Sequence, residues 1–243
     1  MANAPAILSA DGFRDRGAQA TRLEAFVDAA FAFALTLVVI AGNDIPDSVD
    51  ALVQAMKSVP AYAGCFLLIM RCWSAHADWS RRYGLDDLTS RRLGVLLVFL
   101  VLIFVYPMRM VFSSLFSALT AGYLPTSFSI DSVADVPAMF IMFAVAFGLL
   151  GAVMTALYWH AWRLRDALEL SLHERARTRF EMMNWAAVPA VALLSLGLAL
   201  TIPAVPESGV WVGMPGFVFF LLNLAPFALN RVAERWRRVQ PGA

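Results

Sequence analysis

The chain has 243 residues, 60% of them apolar and only 15% charged, with a net charge of +1. Soluble domains carry about 25% charged residues, so this composition and a mean hydropathy of +0.67 exclude an ordinary soluble domain and indicate a membrane bundle. The small net charge names no partner by itself, and no nucleic-acid partner is expected.

Residues 1–20 are expected to form a flexible cytoplasmic N-terminus. Their apolar piece, 4–10, is short and followed by charge, which does not make a cleavable secretory signal. The first long apolar span is 23–40, whose 18 residues reach about 27 Å as a helix. That matches a hydrocarbon core of ~30 Å. Asp28 lies within its first turns, where a carboxylate is costly unless paired or facing water. Further apolar spans follow at about 51–75, 93–116, 136–162, 185–202 and 210–229, making six. Pro46, Pro125, Pro203 and Pro206 mark turns. Pro60, Pro107, Pro189, Pro215 and Pro226 fall inside spans or at their ends, which neighbouring helices tolerate in a membrane. The predicted class is therefore all-α, a polytopic membrane protein, with 21–231 as one six-helix transmembrane domain and 232–243 as a basic cytoplasmic tail.

The charges predict the orientation. Arg14, Arg16 and Arg22 precede the first span, Arg81, Arg82, Arg91 and Arg92 lie between the second and third, and Arg163, Arg165, Arg175, Arg177 and Arg179 between the fourth and fifth. Arg231, Arg235, Arg237 and Arg238 follow the sixth. The alternate loops hold Asp44, Asp47, Asp50, Asp131, Asp135 and Glu207 with no Lys or Arg. By the positive-inside rule both termini are cytoplasmic. Arginine-rich inner loops fit a bacterial inner membrane.

No catalytic set is legible. There is no Cys-x-x-Cys, His-Glu-x-x-His, phosphate-binding glycine loop or Gly-x-Ser-x-Gly elbow. His76, His160 and His173 lie in different segments, and Cys65 and Cys72, seven residues apart on one helix face, read as buried free thiols. An enzyme, a metal site and a cofactor are not expected. Lys57 and Arg109 near the outer ends of spans read as snorkelling cations. Trp159, Trp162, Trp185, Trp211 and Trp236, near span ends, read as interfacial anchors. The basic run 173–179 suits either a topology signal or an anionic lipid surface.

Depth along the spans suggests one polar cluster. Asp28 is about 8 Å into the first span, and Trp73 and His76, at i and i+3, share a face near the inner end of the second. The expected arrangement has Asp28 accepting hydrogen bonds from the Trp73 indole and the His76 imidazole, with Arg22 or Arg71 as counter-charge. On the first helix, Phe33, Thr36, Leu37 and Ile40 share one face. Periodicity alone leaves that face open to two readings, a packed helix interface or the lining of a pore. A lone Thr36 in such a helix has the Ala32 carbonyl as its local partner.

The run Arg22-Leu23-Glu24-Ala25-Phe26-Val27-Asp28 resembles the Arg-x-x-x-Phe-Ser-Asp signature of the transmembrane protein 175 family, potassium-permeable channels of bacteria and of animal endolysosomes. The following 29–39, an alternating apolar run containing Thr36, is similar to the family's first helix. Trp73-Ser74-Ala75-His76 resembles its Trp-x-x-His, and Leu96-Leu97-Val98-Phe99 running to Tyr106-Pro107 its third span. The resemblance covers about 20–110, and the later spans match in layout only. It implies a homotetramer in membrane lipid, with potassium or another monovalent cation as the permeant and a central pore lined by the first helix. Carried over by offset from Asp28, it implies a hydrophobic constriction at Phe33, a selectivity threonine at Thr36 and further apolar layers at Leu37 and Ile40, with Arg22, Phe26, Asp28, Trp73 and His76 as a structural network. A four-fold ring of such helix faces would form a hydrophobic gate that closes by dewetting. The chain departs from the family in having Val27 for the signature serine, Phe33 where Ile or Leu is usual, and His76-Ala77 where two histidines are common. The family's polar residue early in the third span is not evident near Gly94. These departures motivate a second reading, a non-conducting structural or effector membrane protein that keeps the channel scaffold.

Overall fold

The computed structural model describes residues 12–17, 19–40, 46–126, 135–201, 213–224 and 226, and these are almost entirely helical. Helix α1, Arg22–Ile40, opens on a reciprocal cap. Thr21 Oγ1 accepts the Glu24 N–H at 3.1 Å while Glu24 Oε2 accepts the Thr21 N–H at 3.4 Å, so two otherwise orphaned donors are satisfied.

The expected second span is a broken one. Helix α2, Val49–Lys57, and helix α3, Val59–Tyr83, meet at Ser58 with a bend of 43°. Pro60 lies in the first turn of α3. In a continuous helix its ring would meet the Met56 carbonyl and its missing N–H would break the ladder. Helix α3 also runs about two turns beyond Ala75, because Trp79 and Tyr83 bury themselves in the core although their neighbours are polar. Gly84 stops it with φ 57°, donating its N–H to the Ser80 carbonyl at 2.8 Å.

Helix α4, Leu88–Leu119, is capped by Asp87, whose side chain accepts the Ser90 N–H at 2.9 Å. Helices α5, Asp135–Arg163, and α6, Leu172–Ala199, pack along each other. Gly151 allows their approach, since a Cβ there would sit 2.5 Å from Val188 Cγ1. A short helix α7, Met214–Phe217, continues into a 3₁₀ turn, Val218–Asn223. This is shorter than the predicted sixth span. The remainder of that span, apart from Gly213, Leu224 and Pro226, lies outside the described residues, as do the tail 232–243, Trp211, Trp236 and the acids Asp44, Asp131 and Glu207. Helices α1, α4, α5 and α6 are each long and apolar enough to cross a bilayer, and the bent α2–α3 pair makes a fifth candidate.

The core lies between α3, α4 and α5, with α1 against α3 and α4. Phe104, Phe143, Phe147 and Phe219 form one aromatic cluster with neighbouring ring centroids 5.0 to 5.8 Å apart. Trp79 Nε1 donates to the Leu157 carbonyl at 2.9 Å and the Tyr158 hydroxyl to the Ala75 carbonyl at 3.2 Å, tying α3 to α5.

Residues 12–17, expected to be part of a flexible terminus, instead form a packed strap. Phe13 is fully buried, edge-on to Tyr83 at 5.6 Å and between the Arg16 and Arg82 guanidiniums at 5.7 and 5.3 Å. The Arg16 and Gly17 N–H groups both donate to the Arg81 carbonyl, at 3.0 and 2.9 Å. At Gly17 a Cβ would lie 2.6 Å from the Ser80 carbonyl oxygen, so the strap is seated directly on the end of α3.

Candidate functional site

Helix α1 has two unlike faces. Val27, Phe31, Ala34 and Val38, spaced by 4, 3 and 4, are buried against the protomer. The opposite stripe, Arg22, Phe26, Ala29, Phe33, Thr36 and Ile40, is exposed. Phe26, Phe33 and Ile40 are 53%, 56% and 61% accessible, high values for large apolar side chains. Of the four positions singled out in the sequence, Phe33, Thr36 and Ile40 lie on this open stripe. Leu37 sits at its edge, half-buried against the core. Thr36 Oγ1 donates to the Ala32 carbonyl at 3.1 Å, which leaves its lone pairs turned outward.

The buried side of α1 is pinned by one polar contact. Trp73 Nε1 donates to Asp28 Oδ1 at 2.8 Å, joining α1 to α3. The other expected members do not join the pair in the protomer. His76 is buried, stacks at a tilt on Trp79 at 6.1 Å, and leaves Nδ1 without a hydrogen-bond partner. Arg22 and Phe26 point to the open stripe. Arg71 lies over the Trp185 ring at 5.2 Å instead of pairing with Asp28.

The inner end of α1 is held by a second, larger anchor that sequence reasoning missed. The 28 residues of α6 span about 42 Å, so its charged first turns, Leu172 to Arg179, extend past the bilayer. There Glu174 is buried and receives Arg16 Nη1 and Nη2 at 2.9 and 3.0 Å, the Arg14 N–H at 2.9 Å and the Ser171 N–H at 2.8 Å. Burial alone would raise its carboxyl. The hydrogen bonds from Arg16, Ser171 and Arg14, with the Arg16 charge, outweigh that and lower it to about 2. Arg16 Nε also donates to the Leu168 carbonyl at 3.1 Å. The strap thus ties the α5–α6 turn to α3, four residues before the cap of α1. The one local signal for it was Ser171-x-x-Glu174, a capping-box pattern. Three arginine-rich segments meet at this end, and His160 Nε2 to Asp87 Oδ2 at 2.6 Å closes it between α5 and the start of α4.

The remaining candidates have structural partners. Cys65 and Cys72 are free and buried. Arg109, read as a snorkelling cation, is in fact buried over the Tyr62 ring at 5.4 Å, because α4 turns that face toward α3. Lys57 lies over the Tyr123 ring at 4.8 Å. Among the described residues no group of three or more His, Cys, Asp or Glu is arranged to hold a metal ion.

Comparison with known proteins accounts for this layout. Residues 22–107, from the start of α1 into α4, match the family model described as endosomal/lysosomal potassium channel TMEM175. A potassium channel of Marivirga tractuosa is 27% identical over 93% of this chain and 92% of its own length. The crystal structure of a variant of the potassium channel MtTMEM175, solved with a Nanobody-MBP fusion protein, superposes with a TM-score of 0.79 at 26% identity, over 94% of this chain and 100% of that one. These relatives are channels, not enzymes, and with the apolar helices they make the chain an integral membrane protein. Over residues 22–107 the chain is similar to the TMEM175 family.

Proposed function

We propose that this chain is the protomer of a potassium-permeable cation channel of the bacterial inner membrane. It assembles as a homotetramer around a pore lined by the open stripe of α1. Phe33 forms the main constriction, Thr36 offers hydroxyl oxygens to the permeating ion or its water, and Ile40 with Leu37 adds apolar layers. The observation that carries this reading is the exposure of Phe33, Thr36 and Ile40 on a helix whose other face is fully packed. Apolar rings closing a narrow axis gate by dewetting. The six-span layout with both termini inside rests on the alternation of arginine-rich and acidic loops.

The test is potassium flux in liposomes containing wild-type protein or Phe33→Ala. Flux in the wild type that changes in rate or selectivity in the variant supports a pore gated at Phe33. Flux only in the variant identifies a pore held shut by its phenyl rings. Absence of flux in both, from folded and oligomeric protein, favours the non-conducting scaffold suggested by Val27 and Phe33.

A further inference from the structure

Cations at the arginine-rich end are mostly matched by their own acids, as in Arg16–Glu174 at 2.9 Å, Arg81–Asp78 at 2.8 Å and Arg91–Asp86 at 2.9 Å. The α5–α6 turn is different. Asp166 alone serves both Arg165, at 3.6 Å, and Arg175, at 2.8 Å. Arg179 is exposed and has no carboxylate partner among the described residues. The Arg165 and Arg179 guanidiniums nevertheless converge on one ring, lying 5.0 and 5.5 Å from the centroid of Trp162. Two like charges held on one indole, with a single shared acid beside them, leave a local excess of positive charge.

The apolar surroundings indicate what neutralises it. Trp162 is half-buried one residue before the end of α5, at the depth where tryptophans meet lipid headgroups. Trp159, one turn deeper on the same face of α5, is 57% exposed, and Met183, one turn deeper than Arg179 on α6, is 45% exposed. A phosphate at the guanidiniums therefore has an exposed apolar strip running from it toward the membrane interior. Guanidinium forks bind phosphate oxygens in pairs, and the strip accommodates acyl chains.

We propose that Trp162, Arg165 and Arg179 form a binding site for the phosphate of an anionic phospholipid in the leaflet facing the arginine-rich end. The site is independent of whether the protein conducts. The test is native mass spectrometry of the detergent-purified full chain, with phosphatidylglycerol or phosphatidylcholine added. Wild type is expected to retain one phosphatidylglycerol per protomer in preference to phosphatidylcholine. Arg179→Gln, which breaks no ion pair, is expected to weaken retention about 5-fold, and Arg165→Gln with Arg179→Gln about 30-fold. The control, Arg81→Gln with Arg91→Gln, removes the same charge from acid-paired sites at the same end and is expected to change retention little. Equal losses in the control and the test variants, or equal retention of phosphatidylcholine, would overturn the proposal. Displacement of the lipid by an equal concentration of inorganic phosphate would assign the site to free phosphate and overturn the lipid assignment.

Discussion

The inner end of α1 and its open stripe obey opposite rules. At the inner end, Phe13, Arg16 and Glu174 satisfy one another so completely that the charged pair is nearly excluded from water. Along the stripe, Phe26, Phe33, Thr36 and Ile40 are exposed on the surface of the protomer. A helix fixed so firmly on one side and left so bare on the other is built to present a surface. In a bilayer, apolar exposure alone costs nothing against lipid. What distinguishes the stripe is its continuity with Arg22 and Thr36 on a helix otherwise locked in place.

The contrast is broken most strongly at Glu174. Glu174→Ala strands the Arg16 charge in a buried site and is expected to cost about 3–5 kcal/mol, read as a fall in the midpoint of thermal unfolding in detergent. Acid sharpens the same point. The Glu174 carboxyl is depressed from 4.5 to about 2 in the folded chain, so the unfolded chain binds more protons between those values. The stabilisation is complete above pH 4.5 and is lost as pH falls toward 2. Thermal unfolding of the wild type is expected to fall across that window more steeply than that of Glu174→Gln.

A smaller loss is expected at the other anchor. Asp28→Ala removes the acceptor of the Trp73 indole and costs about 1–3 kcal/mol, again as a lowered unfolding midpoint, with the strap unaffected in hydrogen exchange. The smallest effect on folding belongs to the stripe. Phe33→Ala is expected to change protomer unfolding by less than about 0.5 kcal/mol while altering potassium flux severalfold. A Phe33→Ala protein that unfolds as readily as Glu174→Ala would erase the distinction between the two regions.

Much of the helical order was legible because lipid imposes a simple rule, a long apolar run. Helices α1, α4 and α5 begin and end close to the hydropathy limits, and the 3.6-residue period of α1 puts Phe33, Thr36 and Ile40 on one face without telling whether that face is packed or open. The failures share one cause, since hydropathy reports the solvent of a segment and not its partners. Helix α3 continues through the polar Ser80, Arg81 and Arg82 because Trp79 and Tyr83 are buried by other helices. Phe13, a single aromatic in a polar segment, has no period to reveal it, and its socket includes Tyr83 and Arg82, distant in sequence. Pro60 was visible, but whether it would sit at a bend or be absorbed within a span depends on packing. Within the site, the separation of Asp28 and Trp73 was readable from helix depth, whereas the turning of Arg22, Phe26 and Arg71 away from Asp28 depends on side-chain directions that spacing does not fix.

The most direct test of the central claim uses cysteines on the two faces of α1, with the buried Cys65 and Cys72 as an unreactive background. Potassium flux in liposomes is measured before and after a charged thiol reagent for Phe33→Cys, Thr36→Cys, Phe31→Cys and Ala34→Cys. The account predicts that modification changes flux at Phe33 and Thr36 and leaves it unchanged at Phe31 and Ala34. Equal sensitivity of both faces, or sensitivity confined to Phe31 and Ala34, would contradict a pore lined by the open stripe.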